Sequence, residues 1–142
     1  MQSIDDITAD FEFLDDWEDR YRYLIELGRQ LPPMPDGTVN DANKVPGCVS
    51  QVWLISEADD AAPPHITYLG ESDAHIVRGL VAVALALFSG RSAPEILDID
   101  AEAAFAKLGL QEHLTPQRSN GLRSMVGRIK QDAQRALAAQ GA

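Results

Sequence analysis

The sequence predicts an α+β fold in which a small antiparallel sheet packs against helices. Apolar residues recur at helical spacing near both ends of the chain, and two β-prone segments lie between them. An almost wholly apolar helix follows the second β-prone segment. A helix that is apolar on every side is normally buried, so we expect it to form the centre of the molecule.

The N-terminal region predicts two amphipathic helices that pack as a pair. Ser3 resembles a helix cap and precedes apolar residues at helical spacing, which predicts a first helix over residues 4–13. A second helix begins after Asp16 and ends at Gly28, because glycine commonly terminates helices. Residues 31–47 are rich in proline and glycine, which excludes a regular helix and predicts an ordered loop or a short edge strand.

Two strands are predicted next. Residues 50–56 are β-prone, and residues 66–69 follow after a turn at Pro63 and Pro64. The simplest arrangement of these two segments is a short antiparallel pair. Gly70 is expected to close the second strand, because glycine often marks the end of a regular element.

The apolar helix is predicted over residues 76–88. Gly90 should end it, and either Ser72 or Asp73 is available as its N-terminal cap. Capping explains Ser72 and Asp73 more economically than a catalytic pair does, because both residue types favour that position for ordinary backbone reasons.

Three further helices complete the prediction. Residues 93–97 and 101–108 form brief helices, and Gly109 follows the second of them. The last helix opens at Thr115, with Pro116 in the first helical position. Proline is favoured there because the backbone N–H that it lacks would have no partner within the helix.

Length and charge restrict the class of protein. At 142 residues the chain is predicted to form one domain, residues 1–142. Twelve Lys and Arg residues against 22 Asp and Glu residues give a net charge of −10, which disfavours nucleic acid and acidic membrane surfaces as partners. The N-terminus lacks the features of a signal peptide, and the longest apolar run is nine residues, against about 20 for a bilayer span. We therefore expect a cytoplasmic protein.

Cys48 is the single cysteine, which excludes an intramolecular disulfide and any metal site that needs two thiolates from one chain. Free cysteines are commonly buried and inert, so simple packing is one interpretation. Pro46 and Gly47 before it and Ser50 and Gln51 after it place Cys48 at the junction of a loop and a strand, where backbone N–H groups can face a thiolate. On these residues alone both interpretations stay open.

A reactive thiolate needs a cation, a nest of N–H groups or a histidine beside it. His65, His75 and His113 are candidates for a Cys–His pair, but they have no metal-ligand spacing, and a surface position is the more common role for each. Arg118 lies in the first turn of the last helix, where the helix dipole disfavours a cation. It therefore has an acidic partner or is simply solvated.

The segment around Cys48 consists of Val45, Pro46, Gly47, Cys48, Val49, Ser50, Gln51, Val52 and Trp53. It resembles the cysteine-bearing signature of the SufE family of sulfur-acceptor proteins in iron–sulfur cluster assembly. The resemblance extends, in order and spacing, to residues 11–17, to Gly28 with Leu31 and Pro32, to residues 70–74 and 76–80, and to residues 113–122. Val49 departs from the pattern, because many relatives have a polar residue there.

The resemblance implies a SufE/IscU-like (NifU-like) architecture and a protein that takes sulfane sulfur from a pyridoxal-phosphate cysteine desulfurase of the SufS type. Cys48 would carry this sulfur as a persulfide and pass it to a downstream iron–sulfur scaffold complex. The residues that would support the cysteine loop or shape a docking face are Gly47, Ser50, Gln51, Ser72, Asp73 and Arg118. No bound metal, cofactor or independent turnover is implied, and a monomer or weak homodimer is expected.

We expect the Cys48 thiol to be partly shielded at rest and to move outward on docking, because a thiolate exposed only to its partner avoids oxidation. Two other classes of function stay open. One is a stand-alone cysteine enzyme that uses Cys48 with His75 or His113 as the base. The other is an interaction module in which Cys48 only packs.

Overall fold

The computed structural model describes residues 2–48 and 50–141, so Val49 lies outside the described residues. It confirms the predicted α+β fold, with a small antiparallel sheet packed against helices. In chain order the elements are α1 (Ile4–Phe13), α2 (Trp17–Arg29), a short 3-10 helix (Asp41–Asn43), β1 (Val52–Ala58), β2 (His65–Ser72), α3 (His75–Phe88), β3 (Arg91–Ser92), α4 (Ala93–Asp98), α5 (Ala101–Lys107), α6 (Leu110–His113) and α7 (Pro116–Gly141).

Side-chain caps start the first two helices. Ser3 Oγ accepts a hydrogen bond from the Asp6 N–H (3.1 Å), and Asp16 Oδ1 accepts one from the Asp19 N–H (2.9 Å). Each cap gives a partner to an N–H group that the first turn of a helix leaves unpaired. The predicted span of α1, residues 4–13, is confirmed.

The prediction that Gly28 ends the second helix is wrong. Gly28 is a buried residue within α2, which continues to Arg29. A Cβ atom added to Gly28 would lie 2.8 Å from the backbone nitrogen of Gly79 in α3, and a Cβ atom on Gly79 would collide with the carbonyl of Leu24 in α2. These glycines are therefore required because the backbones of α2 and α3 cross almost in contact.

The sheet has the order β1-β2-β3, with antiparallel pairing throughout. Val52 pairs with Ser72 at one end of the β1–β2 ladder, and Ala58 pairs with Ile66 at the other. Gly70 does not close the second strand as predicted, because β2 continues to Ser72. A Cβ atom on Gly70 would lie 2.6 Å from Val81 Cγ1, so glycine at this position lets α3 pack closely on the sheet.

Helix α3 forms the centre of the molecule, as predicted. Its buried residues are Val77, Gly79, Leu80, Val81, Ala82, Val83, Ala84, Leu85, Leu87 and Phe88. It contacts α2, β2 and α7. The buried Tyr68 hydroxyl in β2 donates to the Ile129 carbonyl in α7 (2.7 Å), which ties the sheet to the last helix. Within the described residues, no helix has the combination of length and hydropathy that a membrane crossing requires.

We predict opposite effects for alanine at two glycines. Gly79→Ala should lower the free energy of unfolding by about 1–3 kcal/mol, because the new methyl group overpacks the α2–α3 crossing. Gly127→Ala, in α7, should raise it by up to about 1 kcal/mol, because a Cβ atom there meets open space and alanine is the better helix former. Urea unfolding measures both values, and a Gly79→Ala variant as stable as the wild type would contradict the proposed crossing.

Candidate functional site

Cys48 lies in a loop that is closed at its base. The Val45 N–H donates to the Val52 carbonyl (2.8 Å), and Lys44 forms an isolated antiparallel bridge with Trp53. Cys48 thus lies between two segments that are paired with each other. The predicted junction between loop and strand is where the structure places Cys48.

Gly47 fixes the path of this loop on one side of the cysteine. Its φ angle is +87°, a left-handed conformation that residues with a Cβ atom rarely adopt. A Cβ atom there would also lie 2.6 Å from Ser124 Oγ in α7. The loop therefore lies directly on α7, and only glycine meets both requirements without strain.

Asp73 holds the other side of the loop. The Gln51 N–H donates to Asp73 Oδ1 (3.0 Å), and the Asp73 N–H donates to the Gln51 carbonyl (3.3 Å). These two bonds fasten the end of the cysteine loop to the turn between β2 and α3. They are the most direct contact between two of the segments in which sequence analysis placed candidate residues.

The prediction that Ser72 or Asp73 caps the apolar helix is wrong. The N-cap of α3 is Ala74, which supplies no side-chain hydrogen bond. Ser72 is the last residue of β2 and is buried, and its Oγ accepts from the Ala74 N–H (3.3 Å), one residue before the helix. The carboxylate of Asp73 instead accepts from the loop. The Asp73 side chain thus makes a long-range contact with the cysteine loop, and it makes no capping contact with α3.

The Cys48 thiol is half-buried, which agrees with the partial shielding expected for it. Its Sγ donates to the carbonyl of Gly121 in α7 (3.6 Å). Burial raises the pKa of Cys48 above its ordinary value, because removal from water disfavours the charged thiolate. The resting thiol is therefore protonated at neutral pH and a poor nucleophile.

A cavity of about 320 Å³ lies beside Cys48. Its lining residues are Cys48, Ser50, Val77, Thr115, Gln117, Arg118, Gly121 and Met125. Cys48 and Ser50 come from the loop, and Val77 comes from α3. Thr115 lies just before α7, and the other four residues lie within the N-terminal half of α7. The structure thus brings Ser50 and Arg118 to the cysteine, and it holds Gln51 through Asp73.

Arg118 does not have the acidic partner considered for it. In the two described ranges, no carboxylate lies within ion-pair distance of its guanidinium, and Arg118 lines the cysteine cavity instead. Its backbone N–H donates to Thr115 Oγ1 (3.3 Å), which fixes the first turn of α7. Arg118 therefore brings a positive charge to the cavity that contains the thiol.

The histidines lie elsewhere. His65 Nδ1 pairs with the Asp59 carboxylate (3.0 Å), His113 stacks on Trp17 with ring centroids 4.0 Å apart, and His75 is an exposed residue at the start of α3. None of them lines the cysteine cavity. The described residues also contain no group of three His, Cys, Asp or Glu side chains placed to hold a metal ion.

A family model described as "SufE: Fe-S metabolism associated domain" matches residues 5–133. The chain belongs to the SufE family. A SufE-like protein of Rhizobium meliloti (strain 1021) is 60% identical over 140 residues, which cover 98% of this chain and 100% of the relative. A SufE-like protein of Rhizobium etli is 56% identical over 134 residues, which cover 94% and 90%. Both relatives are named as uncharacterised.

The fold has a match among solved structures. The solution structure of a hypothetical protein from Thermus thermophilus superposes with a TM-score of 0.76 over 95% of this chain and 96% of that chain, at 20% sequence identity. At this identity the likeness supports the fold alone. Together with the family match, it places the SufE chain in an α+β architecture associated with iron–sulfur metabolism.

Three residues that line the SufE cysteine cavity were not predicted as part of the site: Val77, Gly121 and Met125. One signal was present. Arg118, Gly121 and Met125 are spaced by three and four residues, so they lie on one face of α7. The sequence does not show that this face of α7 meets the cysteine loop, because the contact between Cys48 and Gly121 joins residues that are 73 positions apart.

We predict that folding slows alkylation of Cys48. A raised pKa lowers the thiolate fraction at every pH below the folded value, and burial further restricts access of the reagent. Iodoacetamide should therefore react more slowly with the native protein than with the same protein in urea, and the midpoint of its pH–rate curve should be higher. Equal rates in the two states would contradict the shielding.

We predict that Asp73→Ala speeds alkylation of Cys48 by about fivefold, because one lost hydrogen bond of about 1 kcal/mol frees the end of the loop. Asp73→Asn is the matched control. It removes the same charge but keeps an oxygen that accepts from the Gln51 N–H, so its rate should stay near that of the wild type. Equal acceleration by both variants would show that charge, rather than the bond to the loop, controls the thiol.

Proposed function

We propose that this protein accepts sulfane sulfur on Cys48 from a pyridoxal-phosphate cysteine desulfurase of the SufS type and passes it on for iron–sulfur cluster assembly. One observation carries the proposal. The single cysteine of a SufE-family chain lies half-buried in a loop, beside a cavity that is lined by Arg118. Membership in a family associated with iron–sulfur metabolism supports sulfur as the cargo.

The loading step is a thiol–persulfide exchange. The Cys48 thiolate attacks the outer sulfur of the persulfide on the desulfurase cysteine. A new S–S bond forms at Cys48 while the S–S bond of the donor breaks, and the donor cysteine leaves as a thiolate. Sulfane sulfur moves from one protein to the other, so no external oxidant or reductant is consumed.

Unloading is a second exchange of the same kind, in which the Cys48 persulfide is the sulfur donor. A thiolate of the downstream iron–sulfur scaffold complex attacks the outer sulfur of the Cys48 persulfide, and Cys48 leaves as a thiolate. One cysteine is sufficient for both steps, because each step forms one S–S bond and breaks one. The carrier therefore needs no cofactor, metal or histidine base of its own for this relay.

The resting geometry suppresses the thiol until a partner docks. The protonated Sγ donates to the Gly121 carbonyl, and burial keeps the pKa of Cys48 raised. Docking moves the loop outward, breaks the bond to Gly121 and exposes Sγ. The restraints to be released are few, since Asp73 holds the loop through two hydrogen bonds of about 1 kcal/mol each.

Arg118 stabilises the charged forms of the carrier. Arg118 lines the same cavity as Cys48, and its positive charge favours both the attacking thiolate and the persulfide anion. Ser50 and Gln117 add polar groups to the same lining. In this proposal, the protein acts in the cytoplasm as a monomer or weak homodimer with one domain.

We predict that the wild-type protein raises the rate of alanine formation from cysteine by a SufS-type desulfurase several-fold, because it removes the sulfur that blocks the next turnover. Cys48→Ser should leave the desulfurase at its basal rate, since serine cannot accept sulfane sulfur. The control is the pair His75→Ala and His113→Ala, each of which should stimulate like the wild type because neither residue lines the cysteine cavity.

Two results would contradict the proposal. Full stimulation by Cys48→Ser would mean that the protein activates the desulfurase as an interaction module without receiving sulfur. Stimulation that depends on His75 or His113 would mean that Cys48 works with a histidine base. Circular dichroism of each variant verifies that the fold is retained.

A further inference from the structure

Charge is distributed unevenly over this molecule. Residues 2–30, which contain α1 and α2, hold nine acidic and three basic side chains. Helix α7 holds five basic side chains and one acidic side chain. Arg123 pairs with Glu102 and Arg128 pairs with Asp132, so among the described residues the α7 cations without an ion-pair partner are Arg118, Lys130 and Arg135. Unpaired cations on one side of an anionic protein orient it towards an acidic partner and increase the rate of encounter.

Two of the cations lie on one face of α7. Ser124, Arg128, Gln131 and Arg135 are spaced by four, three and four residues, which places them in one row along the helix. The core-facing residues of α7 are Leu122, Met125, Ile129 and Ala133, and they form a different row. The row with the two arginines is thus distinct from the core-facing row, and within it Arg135 is exposed while the Arg128 side chain is largely buried.

This row forms one wall of a groove. A concavity of about 420 Å³ lies between Arg128 and Arg135 on one side and Ala42 and Pro46 on the other. A second concavity, of about 500 Å³, lies between the same two arginines and the segment formed by Asn43 and β1. The two arginines therefore border both concavities.

The charges in the groove are held in different ways. Arg128 Nε lies 3.2 Å from Oδ1 of Asp132, whose side chain is buried, so Arg128 is fixed in position and Asp132 is neutralised. Arg135 is exposed, and within the described chain it has no carboxylate at ion-pair distance. Arg135 is thus the cation that is most available to a partner.

The groove adjoins the cysteine loop. Pro46, in its wall, precedes Cys48 by two residues, and Gly47 approaches Ser124 in the arginine row. A segment bound here would therefore contact the base of the loop that carries the thiol. A short acidic segment fits this groove, whereas a long polyanion would also meet the acidic remainder of the surface.

We propose that this groove binds an acidic segment of the desulfurase that loads Cys48. The residues that define the arginine groove are Ala42, Pro46, Ser124, Arg128, Gln131 and Arg135. The identity of the partner rests on the proposed function, but the preference of the groove for an acidic segment does not. The site lies outside the cysteine cavity, and none of the groove residues lines that cavity.

The first test uses an octaglutamate peptide as the probe, with an octaglutamine peptide as its control, and reads the NMR spectrum of the full chain. At about 0.01 M ionic strength, octaglutamate should shift the side-chain Nε–Hε signals of Arg128 and Arg135 more than those of Arg22 and Arg29. The shifts should disappear at about 1 M salt, and octaglutamine should cause none. Equal shifts at all four arginines would overturn the proposal.

The second test uses charge variants. Arg135→Glu should abolish the octaglutamate shifts, whereas Arg29→Glu, which makes the same charge change on α2, should preserve them. Arg128 is replaced together with its partner, as Arg128→Gln with Asp132→Asn, because a lone Asp132 carboxylate would destabilise the fold. Retention of binding by Arg135→Glu would overturn the proposal.

The third test separates the groove from the proposed function. Arg135→Glu should lower the rate constant of sulfur transfer from the desulfurase by about tenfold at low salt, and the difference should vanish at high salt. Loading of Cys48 by inorganic polysulfide should be unchanged. If the wild type takes no sulfur from the desulfurase, the proposed function fails while the peptide tests still decide the groove. Equal transfer by wild type and Arg135→Glu would contradict the groove alone.

Discussion

The rest of this structure depends on the burial of α3. Its backbone meets α2 at the Gly28–Gly79 crossing, and its Val81 side chain packs against Gly70 of the sheet, so that little space is left for a side chain at any of these glycines. This packing fixes the end of β2 and the turn before α3, where Asp73 lies. It also places Val77 in the wall of the cysteine cavity. The apolar centre of the molecule thus positions the polar contacts that restrain Cys48.

The reactivity of Cys48 follows from packing more than from neighbouring catalytic groups. The loop is held between α7, where Gly47 approaches Ser124, and the turn that contains Asp73. In that position Sγ donates to a carbonyl, and burial raises the pKa of Cys48. Each of these restraints is weak, so a partner that binds near the loop can reverse them with modest binding energy. A protected thiol that a docked partner can expose suits a sulfur carrier.

Much of the fold could be predicted from local patterns. Ser3 and the spacing after it predicted α1, and the apolar run over residues 76–88 predicted the central helix. In each case the signal consists of residues that are close together in the sequence. The roles of Gly28 and Gly70 could not be read in this way. A glycine that ends an element and a glycine that admits a neighbouring backbone look alike in a sequence, since the neighbour is distant along the chain. Strand β3 has two residues, which is too short for a strand pattern.

The candidate site likewise combines features that the local sequence predicts with contacts that it does not predict. The motif around Cys48 identified the thiol and its loop because those residues are contiguous. The bond from Gln51 to Asp73 spans 22 residues and the contact from Cys48 to Gly121 spans 73, so neither appears in any local pattern. Local reasoning made Asp73 a helix cap for the same reason. The family resemblance marked both segments but could not show that they touch.

The measurement that tests the central claim most directly is the intact mass of this protein, without reductant, after incubation with a SufS-type cysteine desulfurase and cysteine. If Cys48 accepts sulfane sulfur, the wild type should gain the mass of one or more sulfur atoms, whereas a Cys48→Ser variant treated in parallel should gain none. No gain on a wild-type thiol that is shown to be reduced would contradict the account. The family membership would then describe the fold of this chain without its chemistry.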